Sequence, residues 1–121
     1  TFFQAQLKSG FDTVAEVAHL SEHIAEADLV ITGEGKLDVQ TAMGKVAGGI
    51  SQIAKATHTP VIAICGSVDG LKPAQTSLFD VVMPSIQKVD TIDNVLGSAY
   101  NNIETTAVNI AASIKLGQNL K

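Results

Sequence analysis

The chain has 121 residues, of which 45% are hydrophobic and 17% are charged, and its formal net charge is −4. This balance is typical of one folded domain and excludes a disordered, highly charged tail. The eight basic residues are scattered along the chain, so no basic stripe is available for a nucleic-acid backbone, and nucleic acid is not an expected partner. The longest apolar run, residues 61–65, is far shorter than the ~20 residues of a membrane span. We therefore expect a cytoplasmic protein with no membrane partner.

Predicted helices and strands alternate along the chain. Two short helices, 11–18 and 21–26, come first, and Ser21 is a candidate cap for the second. Continuous apolar runs, which are typical of parallel sheets covered on both faces, predict three strands at residues 28–32, 60–65 and 79–84. Apolar residues at three- and four-residue steps predict a helix over residues 46–57 and a long final helix over residues 92–114. Asp90 and Thr91 are expected to cap the final helix, and Gly117 is expected to end it.

This order predicts an α/β fold with right-handed crossovers. We expect three layers, with a mostly parallel sheet flanked by helices, as in part of a flavodoxin- or Rossmann-like domain. Three strands make a small sheet, so we expect strands from missing chain or from a partner to complete it. An exposed sheet edge would also favour self-association. The sequence begins at Thr1 rather than Met, which favours a piece of a longer protein.

The only cysteine, Cys65, lies within an apolar run. A thiol in such a position behaves as a small hydrophobic group, so we predict a structural role. His19 and His23 are four residues apart on a predicted helix, but the acids near them form no recognised metal motif. We therefore predict no metal site there. His58 has no partner that the sequence reveals.

A polar, glycine-containing segment, residues 33–45, follows the first predicted strand. Ligands of open parallel sheets bind where strands end and helices begin, because free backbone amides point outward there. Glycine allows the backbone to turn and to approach a ligand closely. The segment offers acids, cations and hydrogen-bonding groups at Glu34, Lys36, Asp38, Gln40, Thr41 and Lys45. We predict an anion-binding loop suited to phosphoryl transfer, and the alternative is a solvated connection.

Two familiar nucleotide-binding motifs are absent from this segment. A Walker loop requires glycine five residues before the glycine of its Gly-Lys pair and Ser or Thr after the lysine, whereas this chain has Val39 and Val46. The dinucleotide fingerprint fails because Asp38 stands where its third glycine belongs. A nucleotide would therefore be held in another way.

Residues 28–41, with the sequence DLVITGEGKLDVQT, and the following Gly44-Lys45-Val46 resemble a motif of the glycerate kinase family. The resemblance extends over residues 5–10, 60–67, 99–102 and 109–112, which is nearly the whole chain. One departure from the family motif is Lys36, which stands where arginine is common. Lysine binds an anion less firmly than the bidentate guanidinium of arginine does. Ala42-Met43 fills a variable pair.

The resemblance implies a kinase that transfers the γ-phosphoryl group of ATP to a hydroxyl of D-glycerate with Mg²⁺. Family members have two α/β domains with the active site between them, and this chain looks like the carboxy-terminal part. Its expected partner is therefore the missing amino-terminal part of the same protein. We expect the isolated piece to be inactive.

Asp38 is the first candidate for a chemical role, either as an Mg²⁺ ligand or as the general base toward the glycerate hydroxyl. The alternative is that it caps the following turn. Glu34 would orient Lys36 or bind metal through water, or else form a structural ion pair. Lys36 and Lys45 would neutralise the glycerate carboxylate or the transferring phosphate, unless they are only solvated.

The remaining candidates bind or orient rather than react. Gln40 and Thr41 would orient substrate or bridge to the second domain, and Ser67 would donate a hydrogen bond into the crevice or else form a turn. Three glycines would permit the backbone shape: Gly33, Gly35 and Gly44.

Two other functional classes stay open on sequence grounds. One is a non-catalytic α/β module that binds phosphate or carboxylate without transferring anything. The other is a structural half-domain whose polar segment has no ligand.

Overall fold

The computed structural model describes residues 10–37, 46–70 and 78–121. Within these residues the elements, in chain order, are α1 (Gly10–Val17), α2 (Leu20–Glu26), β1 (Val30–Leu37), α3 (Val46–Ala56), β2 (Val61–Val68), β3 (Val81–Pro84), α4 (Ile92–Gly97) and α5 (Ala99–Gln118). The predicted α/β class is confirmed, since helices flank a sheet whose described strands are all parallel.

The sheet has the strand order β1-β2-β3. In the register of β1 and β2, Val30 lies opposite Val61, Lys36 opposite Ser67 and Leu37 opposite Val68. β3 is shorter and pairs only with the first half of β2, from Ile62 to Cys65. The two long strands therefore run together beyond the third.

The assignment of residues 33–37 to a loop is wrong, because these residues continue β1 to Leu37. β2 likewise continues through Gly66 and Ser67 to Val68. Apolar content stops at about residue 32, but a parallel ladder is held by backbone hydrogen bonds that any non-proline residue can make. The mutual pairing of the two polar extensions thus overrides their weak strand preference.

One face of the sheet carries the main core. Small buried residues of α3, Ala47 and Ala54, pack with Ile24 of α2 and with Val61 and Ala63 of β2. Small side chains on the helix allow it to lie close to the sheet.

Polar contacts within this core are satisfied. The fully buried Ser51 hydroxyl of α3 donates to the Leu78 carbonyl. The Thr59 hydroxyl donates to the carbonyl of Ile24 at 3.0 Å and joins the start of β2 to α2. These hydrogen bonds therefore join the helices to backbone segments that precede the strands, away from the polar strand ends.

α5 covers the opposite face only in part, so the described elements form three layers with one thin side. Of the 20 residues of α5, only Thr106 and Ile110 are buried. Ile31 on β1 keeps 54% of its surface exposed, and Val108 on α5 keeps 63%. This face has apolar surface that the described residues do not cover.

The predicted final helix is two helices rather than one, since α4 ends at Gly97 and α5 begins at Ala99. Thr91 caps α4 as predicted, because its hydroxyl accepts the Asn94 amide at 3.3 Å. Asp90 accepts hydrogen bonds from the Asn94 side chain and the Thr91 amide, and these bonds lower the pKa of Asp90.

Two predicted helix boundaries are wrong. Ser21 lies inside α2, which begins at Leu20 after His19 in the left-handed conformation, with φ 52°. Gly117 lies inside α5, which continues to Gln118. A glycine in a helix costs only about 1 kcal/mol, so it does not by itself end a long helix.

Gly66 is required by the close approach of β1 and β2. A Cβ atom at this position would lie 2.5 Å from the carbonyl oxygen of Gly35, whereas a Cβ atom at Gly35 would have no neighbour within 4 Å.

Gly66→Ala should therefore lower the free energy of unfolding by about 1–3 kcal/mol through the forced backbone shift. Gly35→Ala, its matched control, should change it by less than about 1 kcal/mol. Urea unfolding followed by circular dichroism measures both values. Equal stability of the two variants would contradict the close packing of these strands.

Candidate functional site

Polar side chains gather where β1 and β2 end together. Lys36 lies opposite Ser67 in the register, so the two side chains leave the same face of the sheet. Glu34 is on that face as well, since side chains two residues apart in a strand point the same way. Asp69 directly follows β2. The pairing of the two strands thus brings three of the predicted residues to one edge.

Glu34 is attached to the start of α3. Its Oε1 accepts a hydrogen bond from the backbone N–H of Ala47 at 3.2 Å. Ala47 is the second residue of α3, where the backbone amides have no partner inside the helix. A carboxylate at this end is also stabilised by the helix dipole. The contact joins β1 to α3 across the intervening residues 38–45.

Lys36 is paired with an acid that the sequence did not single out. Its Nζ lies 2.9 Å from a carboxylate oxygen of Asp69, and the two side chains are 55% and 68% exposed. An ion pair this exposed contributes only about 0–1 kcal/mol, so an incoming anion can replace the carboxylate. No sequence signal singled out Asp69, because it directly follows β2 only when this strand continues to Val68, beyond its predicted end at residue 65.

Five predicted site residues lie outside the described residues: Asp38, Gln40, Thr41, Gly44 and Lys45. They belong to the connection between Leu37 at the end of β1 and Val46 at the start of α3. Their roles stay predictions.

Gly33 and Gly35 do not form the turn that was predicted for them, since both lie within β1. They line a cavity of about 480 Å³ between the thinly covered face of the sheet and the helices α4 and α5. Its apolar wall includes Val95 and Leu96 of α4 and Ile103 of α5. Sequence reasoning missed these wall residues because nothing in the local pattern indicates that α4 and α5 meet the end of β1.

Cys65 is buried, with 1% of its surface exposed. Burial raises the pKa of its thiol, so the reactive thiolate is disfavoured. This agrees with the predicted structural role. In the described part of the chain, no group of three His, Cys, Asp or Glu side chains is placed to hold a metal ion. Nor is any helix there long and apolar enough to cross a membrane.

Glu34→Ala should remove the contact with α3 and lower the free energy of unfolding by about 1–2 kcal/mol, as for loss of a helix cap. Glu34→Gln keeps an accepting oxygen but loses the charge at the helix start, so its cost should be about 0.3–1 kcal/mol.

Glu104→Ala, on the exposed side of α5, is the control and should stay within about 0.5 kcal/mol of the unaltered chain. Chemical denaturation of the three variants gives these values. A Glu34→Ala variant as stable as the control would show that the hydrogen bond to Ala47 contributes nothing.

Nearly the whole chain is similar to known proteins. The model of the "Glycerate kinase family" matches residues 1–115. Glycerate 2-kinase of Escherichia coli (strain K12) is 40% identical over 117 residues, which cover 96% of this chain and 31% of the relative. Glycerate kinase of Bacillus subtilis (strain 168) is 38% identical over 125 residues, covering 99% of this chain and 32% of the relative.

A crystal structure from Salmonella typhimurium LT2, provisionally named glycerate kinase 2, is similar in fold, with a TM-score of 0.72 and 41% identity. The match covers 97% of this chain and 29% of that one. The chain thus spans about a third of the length of the curated relatives it matches. With a family match over nearly all of its residues, this chain belongs to the glycerate kinase family.

Proposed function

We propose that the longer protein containing this chain transfers the γ-phosphoryl group of ATP to a hydroxyl of D-glycerate, giving ADP and a phosphoglycerate. Relatives named glycerate kinase and glycerate 2-kinase support the reaction. The observation that carries the proposal is the pairing of Lys36 with Ser67 at the joint end of β1 and β2, beside the start of α3 that Glu34 holds. Phosphoryl transfer needs chiefly positioning and neutralisation of negative charge, and this edge offers both.

Lys36 supplies positive charge toward the phosphate or the glycerate carboxylate. In the absence of an anion its charge is balanced by Asp69 at 2.9 Å. Because that pair is exposed, exchange of the Asp69 carboxylate for a substrate oxygen costs little. Ser67, half-buried and opposite Lys36, donates a hydrogen bond to the same anion. Lys45 adds a second positive charge from the connection to α3.

Asp38 carries the proposed chemistry, either by accepting the proton of the attacking glycerate hydroxyl or by binding Mg²⁺. As the hydroxyl oxygen bonds to the γ-phosphorus, the bond to the ADP oxygen breaks, and the hydroxyl proton passes to a base. Gln40 and Thr41 orient the substrate in this scheme.

The described acids near this edge do not form an all-protein Mg²⁺ site. Mg²⁺ would therefore be bound there together with the nucleotide phosphates. Glu34 accepts an amide hydrogen bond and Asp69 faces Lys36, so neither belongs to a ready-made cluster of carboxylates. Mg²⁺ fits such a site, because it keeps several waters and binds phosphate oxygens with only one or two protein carboxylates. Asp38 is the residue proposed to hold it, and the ion would neutralise the phosphate charge.

The chain on its own is proposed to be inactive. It spans about a third of the length of its relatives, so most contacts to both substrates would come from the rest of the protein.

Asp38→Asn tests the assignment in the full-length protein. The substitution keeps the size of the side chain but removes its charge and basicity, so kcat/KM for D-glycerate should fall by about 10²–10⁴-fold. Asp28→Asn, exposed just before β1 at the opposite end of the strand, is the matched control and should keep activity within about twofold. The assay is ATP-dependent formation of phosphoglycerate over a range of Mg²⁺ concentrations.

If high Mg²⁺ restores the kcat/KM of Asp38→Asn, Asp38 is a metal ligand. If kcat/KM stays low at every Mg²⁺ concentration, Asp38 is the general base. Full activity of this variant would remove Asp38 from the mechanism. If the unaltered full-length protein phosphorylates nothing, the proposed function is wrong and an anion-binding module is favoured.

A further inference from the structure

Two glycines of β1 are not explained by the fold of the described residues. A Cβ atom at Gly35 would have no neighbour within 4 Å, and one at Gly33 would make an ordinary contact of 3.8 Å with the Ile64 carbonyl oxygen. Neither residue has the left-handed backbone that favours glycine. Glycine weakens a strand, and inside one it often marks a place where a ligand approaches the backbone closely. Both glycines open onto the 480 Å³ cavity.

A buried hydroxyl also faces this cavity without a partner. Ser85, which lines the cavity, is only 7% exposed, and no described residue makes a hydrogen bond with its side-chain oxygen. Every fully buried side-chain oxygen and nitrogen in the described residues has a partner, so the Ser85 hydroxyl keeps some accessible surface. Asn102 of α5 adds an amide to the same lining. An apolar cavity with a few convergent polar groups is typical of a small-molecule site.

The cavity continues into a second one. A second cavity of about 380 Å³ shares Gly35 and Gly66 with the first and reaches Ser67 and Lys88. Ser67 lies opposite Lys36 at the ends of the strands. The two cavities are therefore continuous around Gly35 and Gly66, and the second is also mainly apolar, with Ser67, Lys88 and Asp90 at its polar part.

We propose that this cavity binds the adenine base of ATP, with the phosphates leaving it past the ends of β1 and β2, where Lys36 lies on the other face of the sheet. The flat ring lies against the side-chain-free backbone of Gly33 and Gly35, between the sheet and the apolar wall of Val95, Leu96 and Ile103. The Ser85 hydroxyl and the Asn102 amide meet the polar edge of the ring. This inference rests on the proposed kinase function, and it assigns the base to a part of the chain outside residues 38–45.

An apolar segment from the rest of the protein is the competing occupant. It would account for the exposed apolar wall, but it would leave the Ser85 hydroxyl facing hydrocarbon without a partner, which is costly. The base satisfies both the apolar wall and the hydroxyl, since it has an apolar face and a hydrogen-bonding edge.

The test uses two substitutions on α5 of the full-length protein. Ile103→Asp places a charge in the wall of the cavity, and Val108→Asp places the same charge on α5 outside it, with native exposures of 50% and 63%. Binding of ATP and of inorganic tripolyphosphate, which lacks the base, is measured by calorimetry. Ile103→Asp should weaken ATP binding by at least about tenfold, because a charge would face the apolar ring. Tripolyphosphate binding, and both affinities of Val108→Asp, should stay within about twofold.

Equal weakening of ATP and tripolyphosphate by Ile103→Asp, or no weakening of either, would overturn the base assignment. If Ile103→Asp does not fold, Gly35→Val decides the matter, because the structure has open space for its side chain. Gly35→Val should raise the KM for ATP by about tenfold or more and leave the KM for D-glycerate within about twofold, since only the base would be displaced. A rise only in the KM for D-glycerate would overturn the proposal.

These measurements separate the two proposals. Failure of the unaltered protein to phosphorylate D-glycerate would reject the kinase function, while selective loss of ATP binding in Ile103→Asp would still support the base site.

Discussion

The parallel pairing of β1 and β2 beyond their apolar halves is the interaction on which the rest of this structure depends. Without it, residues from Gly33 onward would be a solvated loop with no defined direction. With it, Lys36 and Ser67 lie side by side, and the two strands end together at Leu37 and Val68. The pairing requires Gly66, because any side chain there would collide with the carbonyl of Gly35. A backbone constraint thus places the polar side chains.

The two faces of the paired strands β1 and β2 make different contacts. On one face, Glu34 reaches the first turn of α3 and ties the end of the strand to the helix start. On the other face, glycines leave the strand bare, and α4 and α5 stand away from it to enclose a cavity. Alternation of side chains along a strand produces this division. One segment can therefore contact the start of α3 through a side chain and line a cavity with its backbone.

The ion pair of Lys36 and Asp69 holds the proposed anion-binding lysine at the surface. Because both side chains are largely exposed, the pair adds little stability and is easily exchanged. Ile31, which also lines the cavity, and α5 leave apolar surface uncovered, and this agrees with a chain that spans about a third of its relatives' length. Surface that a whole protein buries is open in one part of it.

The amino-acid sequence by itself determined the α/β class, the apolar halves of the strands, the helix at α3, the Thr91 cap and the polar segment after residue 32. These features depend on local periodicity and composition, which a single sequence displays. Resemblance in the motif of residues 28–46 also indicated the family. The sequence did not reveal that Gly33 to Leu37 are strand, that the final helix breaks at Ser98, or that Asp69 faces Lys36. Each of these depends on contacts between distant segments.

Only the tertiary structure decided which side chains share a face and which surround a cavity. Register between β1 and β2 set the partner of Lys36. The approach of α4 and α5 brought Ile103 to the cavity beside the glycines of β1, and the end of β3 brought Ser85 there. Local preference is too weak to specify such pairings, because a backbone ladder accepts almost any residue. Packing of the whole chain selects one register among them.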